Sequence, residues 1–158
     1  MKKGEGQMGI QRRREAGTAI EYEKQEQRLV ASQAVINVTI ATDSLYGDVI
    51  HTVGPIAQGG VGEEERRALR SCYKNSLQTA TEKAARSVAF PCISTGIYGY
   101  PPEQAVHEAL ATVREYLDAH HDKLDRVIFC VFLPADKKLY LQNLPLYFPA
   151  EATVKSKL

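Results

Sequence analysis

The chain contains no tryptophan, only two methionines and only three cysteines among 158 residues. Cys72, Cys92 and Cys130 stand in apolar settings with none of the short paired spacings that metal ligands use, so neither a zinc site nor a disulfide scaffold is expected. Buried, reduced thiols fit that pattern and suggest a reducing compartment, cytoplasmic or nuclear. The four histidines, His51, His107, His120 and His121, likewise form no ligand pattern. No apolar run is long enough to cross a bilayer, and no signal-peptide core opens the chain. Charge of one sign is also lacking. Twenty Lys and Arg stand against nineteen Asp and Glu, which argues against nucleic acid or an anionic membrane as the main partner. A monomer without metal or cofactor is the expectation.

What is present is a length suited to one domain, with about two-thirds of the unfolded surface to bury. Residues 1–33 are polar, carry the run Arg12-Arg13-Arg14, and have too few apolar positions for a core-facing helix stripe; a disordered or loosely helical segment is expected there. Residues 34–41 are β-branched and read as a buried strand. Asp48 to Gly54 reads as another strand, leaving through Gly54-Pro55. From Glu63 to Ala84 the positions Leu69, Cys72, Tyr73, Ser76, Leu77 and Ala80 fall on one helical face. A second helix carries Ala105, Val106, Ala109, Leu110, Val113 and Leu117. An apolar strand over residues 126–133 and a short helix from Pro134, ended by Pro145, complete the domain before a tail at 151–158. Alternating strands and helices imply parallel pairing, with strand C-termini and ligand crevice on one edge.

The chemistry concentrates between Ser87 and Pro101. The apolar run Val88 to Ile93 passes within one residue into Ser94-Thr95-Gly96-Ile97-Tyr98-Gly99-Tyr100, and a helix follows with proline in its first turn. Strand, glycine loop and helix N-terminus make a backbone-amide cradle for phosphate. No lysine follows as in a triphosphate-binding loop, and the glycine spacing does not fit a dinucleotide fingerprint. A diester or pyrophosphate held without magnesium is one reading, with Tyr98 and Tyr100 inside the cradle to pack on a sugar or base; an ordinary strand-to-helix turn is the other.

Cys92-Ile93-Ser94-Thr95-Gly96-Ile97-Tyr98-Gly99-Tyr100-Pro101 resembles the second phosphate loop of macrodomains, and Val49-Ile50-His51-Thr52-Val53-Gly54-Pro55 resembles one of their strands. With residues 86–91 and 125–133, the likeness is to the MacroD type and covers about residues 48–149. It implies a three-layer α/β/α fold with a mixed, mostly parallel sheet, incomplete at its N-terminal side, and a partial macrodomain over residues 34–150. It also implies binding of ADP-ribose, O-acetyl-ADP-ribose or mono-ADP-ribosylated proteins. Ile93, Ser94, Thr95, Gly96, Ile97, Tyr98 and Gly99 then match the phosphate loop, and Phe132 the aromatic that stacks on adenine. In the family a central strand ends in Asn-Ala-Ala-Asn before a glycine-rich loop with the catalytic aspartate. Here Asn37-Val38-Thr39-Ile40 stands instead, with only Gly47 and Asp48 beyond, so no catalytic residue is assigned. The expected function is ADP-ribose binding of the type used by enzymes that remove mono-ADP-ribose from acidic side chains and deacetylate O-acetyl-ADP-ribose, with hydrolysis impaired. The alternatives are a non-catalytic reader of mono-ADP-ribosylated protein or an inert product with an incomplete fold. Asp43 and Asp48 are the only carboxylates near the missing loop in sequence.

Overall fold

The computed structural model describes residues 19–21, 35–41 and 48–150, with side chains described from 48 to 150. Among the described residues, five strands form one sheet: β1 (Ala19–Glu21), β2 (Val35–Ala41), β3 (Asp48–Val53), β4 (Ser87–Pro91) and β5 (Arg126–Cys130), in the order β1-β5-β4-β2-β3. The three helices among the described residues, α1 (Glu63–Glu82), α2 (Pro102–Ala119) and α3 (Pro134–Tyr147), follow β3, β4 and β5. The α/β architecture and the mixed, mostly parallel sheet agree with the sequence: β1, β5 and β4 pair in parallel, and among the described strands only β2 runs against its neighbours.

β2 fills the slot between β3 and β4, and it does so antiparallel to both. The reason is the connection. Only residues 42–47 separate β2 from β3, too few for the crossover of a dozen or more residues that parallel pairing requires. Ile40 therefore pairs with Asp48, and Val35 with Val53. The chain from β2 enters β3 at the sheet end opposite the exit of β4.

β3, β4 and β5 share one direction and are joined through α1 and α2, and right-handed crossovers in one sense along the sheet place those helices on the same face. α1 packs on α2 and α2 on α3, so the described residues supply the sheet and one helical layer. Val88, Phe90, Val127 and Phe129 face that layer and are buried. Phe90 lies 5.0 Å from Tyr73 of α1 and 6.3 Å from Phe129, which in turn lies 5.1 Å from Tyr140 of α3. The buried stripe of α1 is Leu69, Cys72, Tyr73, Ser76, Leu77 and Ala80, the set that the sequence periodicity selects. The Gly62 N–H donates to Glu65 Oε2 at 2.8 Å, closing the first turn of α1. Its last turn closes with Ala84 at φ 58, where the Ala85 N–H donates to the Ala80 carbonyl at 2.9 Å.

Three expectations change. Ala19–Glu21, within the segment read as disordered or loosely helical, forms β1 on β5; a strand of three residues held by backbone pairing leaves no side-chain periodicity to detect. The remainder of residues 1–33, and the tail at 151–158, lie outside the described residues. β5 ends at Cys130 rather than at 133. Pro145 sits inside α3 instead of ending it. It falls in the last turn, where the missing N–H costs one bond, and the Phe148 N–H still donates to the Leu144 carbonyl at 2.8 Å. No helix among the described residues is long and apolar enough to cross a membrane.

Candidate functional site

β4 ends at Pro91, level with Cys130 at the end of β5, so the loops leaving both strands start at the same sheet end. Ile93 and Ser94 are still buried, and the chain turns at Ser94 through a φ of 63, a left-handed conformation unusual for a residue with a side chain. Two inward hydrogen bonds shape the loop: the Tyr100 N–H donates to the Ser94 carbonyl at 2.9 Å, and the Gly99 N–H to the Gly96 carbonyl at 3.0 Å. Gly99 has φ 70 and needs to be glycine. The N–H groups of Ser94, Thr95, Gly96 and Ile97 make no hydrogen bond to any described residue. A Cβ placed on Gly96 would meet no atom within 4 Å. Consecutive amides left unpaired beside an open space are a feature that anion-binding concavities share.

The segment after β3 packs beside this loop. The Ala57 N–H donates to the Tyr98 carbonyl at 2.7 Å, and Gln58 Nε2 to the Ile97 carbonyl at 2.5 Å. Gly54 must lack a side chain, because a Cβ there would lie 2.1 Å from Ser94 Oγ and 2.7 Å from Ile93 Cγ2. Ser94 Oγ is buried without a hydrogen-bond partner among the described residues. The left-handed turn at a residue with a side chain costs about 1–3 kcal/mol, strain of the kind that a rigid surrounding can hold.

Beneath the loop, on the helix side, a narrow cleft is lined by Tyr73, Cys92, Ile93, Thr95, Asp136 and Tyr140, among others. The Tyr140 hydroxyl hydrogen-bonds that of Tyr73, which also accepts from the Ile93 backbone. Burial raises the pKa of both phenols. Cys92 is pushed up to about 12, first by burial and then by the nearby Asp136 carboxyl, so it is a protonated thiol and a poor nucleophile. Asp136, 8% exposed, has its pKa raised by burial and secondarily by Glu103. Among the described residues no cluster of His, Cys, Asp and Glu could hold a metal ion.

A model of the macro domain family matches residues 4–109. The chain belongs to the macro domain family. That match begins upstream of the motifs quoted from the sequence and stops before β5. The ADP-ribose glycohydrolase MACROD1 of Rattus norvegicus is 56% identical over 101 residues, 64% of this chain and 39% of that protein. The ADP-ribose glycohydrolase MACROD2 of Xenopus laevis is 56% identical over 103 residues, 65% of this chain and 25% of that protein. The chain thus spans about a quarter to two-fifths of the length of these curated relatives. Among solved structures, the GDAP2 macro domain has a TM-score of 0.62 at 38% identity, covering 68% of this chain and 52% of that one. A Trypanosoma brucei macrodomain in complex with ADP-ribose has a TM-score of 0.56 at 34% identity, covering 63% of this chain and 40% of that one.

Within this macro domain, the structure gathers Ile93, Ser94, Thr95, Gly96, Ile97, Tyr98 and Gly99 in one loop, with unequal exposure. Ile93 and Ser94 are buried, Thr95 and Tyr98 half-buried, and Gly96, Ile97 and Gly99 exposed. Phe132, 41% exposed, lies two residues past β5 at the same sheet end. It is not one of the residues lining the cleft below. Tyr100, read from the sequence as lying inside the cradle, is 1% exposed. Its ring lies in the core, and Glu108 and Arg66 are the charged groups that act most on its hydroxyl. Asp48 pairs with Ile40, which pairs with Val88 at the start of β4. Three strand residues, about 10 Å, therefore separate its level from the exit at Pro91. Asp43 and Gly47 lie outside the described residues. Sequence reasoning placed Tyr73 on the buried stripe of α1 without linking it to this site, and did not single out Gln58, Ala57, Tyr140 or Asp136. Only Gly54-Pro55 after a strand signalled that something approaches closely there.

Proposed function

We propose that this chain binds ADP-ribose, holding its diphosphate on the amides of Ser94, Thr95, Gly96 and Ile97, with Phe132 beside the base and Tyr98 beside the distal ribose. The observation that carries this reading is the run of four amides with no partner among the described residues, beside the open face of Gly96. Backbone donors at a strand exit bind a diphosphate without a cation or a net positive chain. The names of the glycohydrolase relatives and the ADP-ribose in the Trypanosoma brucei structure support the ligand class. Calorimetry with ADP-ribose, paired with a thermal melt in which bound ligand raises the midpoint, is the test. A flat titration with a well-folded protein refutes the reading.

Hydrolysis is proposed to be slow. Attack on the ester that joins ADP-ribose to a glutamate side chain or to acetate requires a carboxylate held close to the attacking water, to within about half an ångström of its productive place. Asp48 begins β3 at the far end of the sheet, so it does not meet that requirement. The reading is of a reader of mono-ADP-ribosylated protein or of O-acetyl-ADP-ribose with residual turnover at most. Release of ADP-ribose from a glutamate-modified protein should be far slower than by rat MACROD1, and equal rates would overturn this part.

A further inference from the structure

We propose that Gln58 is a positioning residue for the phosphate loop, a clamp that turns the loop's carbonyls away from the anion. The inference rests on the reading of residues 93–99 as the diphosphate cradle. In a planar trans peptide, the C=O of one residue and the N–H of the next point in opposite directions. Gln58 Nε2 donates to the Ile97 carbonyl at 2.5 Å, so the N–H of Tyr98, in the same peptide plane, is aimed away from Gln58. One residue on, the Tyr98 carbonyl is held from the same side by the Ala57 N–H at 2.7 Å. Two successive carbonyls are thereby drawn onto the segment after β3. A diphosphate approaching from the other side meets no oxygen lone pair from either.

The contact is built into the loop. A Cβ on Gly99 would stand 3.2 Å from Gln58 Cγ and 3.4 Å from Gln58 Cα. Gln58 thus lies over Gly99, whose φ of 70 already demands glycine. The Ala57 half of the clamp is main chain and survives any substitution. The Gln58 half is a single side-chain amide in an exposed position, and it alone depends on residue identity. The clamp lies outside the motif that marks the loop and comes from a neighbouring element.

The test uses the full chain with Gln58→Ala and Gln58→Glu, the latter keeping length but losing the donor at neutral pH. In ligand-free protein, the 13C shift of the Ile97 carbonyl, read by NMR, is expected to move upfield in both variants as its hydrogen bond is lost. ADP-ribose binding is expected to weaken about three- to tenfold, the worth of one hydrogen bond, while affinity for adenosine, which lacks the diphosphate, stays as in the wild type. An unmoved Ile97 carbonyl in Gln58→Glu overturns the clamp, as does wild-type ADP-ribose affinity in that variant or an equal loss for both ligands. If the wild-type chain binds no ADP-ribose at all, the proposed function fails, and the carbonyl shift still decides whether the clamp exists.

Discussion

Gly96→Glu separates the phosphate-loop assignment from ordinary structural importance. Gly96 is exposed, its φ does not lie in the left-handed region, and a Cβ there would meet no atom within 4 Å. The fold should therefore accept the side chain, with the thermal midpoint of the unliganded protein unchanged. The carboxylate would stand in the space the anion needs. A unit charge about 4 Å from a phosphate, at the effective dielectric near a protein surface, is repelled by about 4 kcal/mol. If the wild-type complex is micromolar, near −8 kcal/mol, the variant is left with about half of that and a millimolar Kd. Calorimetry at constant salt reads the difference as a loss of about a thousandfold, and Gly96→Ala, which adds only a methyl to open space, should stay close to wild type. Undiminished ADP-ribose binding by Gly96→Glu would refute the assignment of these amides. A large fall in the unliganded midpoint would refute the claim that the glycine faces open space.

Gly54→Ala should do the opposite, since its Cβ would overlap Ser94 Oγ and Ile93 Cγ2; a loss of about 1–3 kcal/mol in denaturant unfolding, together with lost ligand binding, is expected. Ala84→Gly relieves a left-handed residue at the end of α1 and should stabilise the chain by about 1 kcal/mol, seen as a higher melting midpoint; a lower midpoint would contradict the capping geometry. Asp136 has a folded pKa raised above its ordinary 3.8, so the native state binds more protons between those two values and stability falls as pH rises through that window. Asp136→Asn should melt above the wild type at pH 7, with the difference vanishing below about pH 4; a pH-independent difference would show that burial does not disfavour the carboxylate.

Much of the domain is legible locally. The stripe Leu69 to Ala80 recurs at helical spacing, and the structure buries those same positions. The passage from Phe90 through Ile93 into Ser94-Thr95-Gly96 marks a strand running into a loop, and Pro102 at the start of α2 marks the helix that follows. Each of these is a pattern within a few turns or residues, set by side-chain size and backbone freedom at neighbouring positions. Tyr100 illustrates where such reading ends. Two residues after Tyr98 in the same motif, it is buried in the core cluster while Tyr98 is half-buried, so the two tyrosines face different surroundings.

The amino-acid order by itself determined β2 to β5 and the three described helices, which helix face is apolar, and that a glycine-bearing loop lies between β4 and α2, because those properties follow from residues close together in the chain. Tertiary structure decided the rest. The reversed β2 carries the chain into Asp48 at the end of the sheet away from the loop, and Gln58, 39 positions from Ile97, reaches the loop only because β3 and β4 lie two places apart in one sheet. Strand direction and neighbours depend on connection length and on which edges remain to be paired, and no local pattern of side chains encodes either.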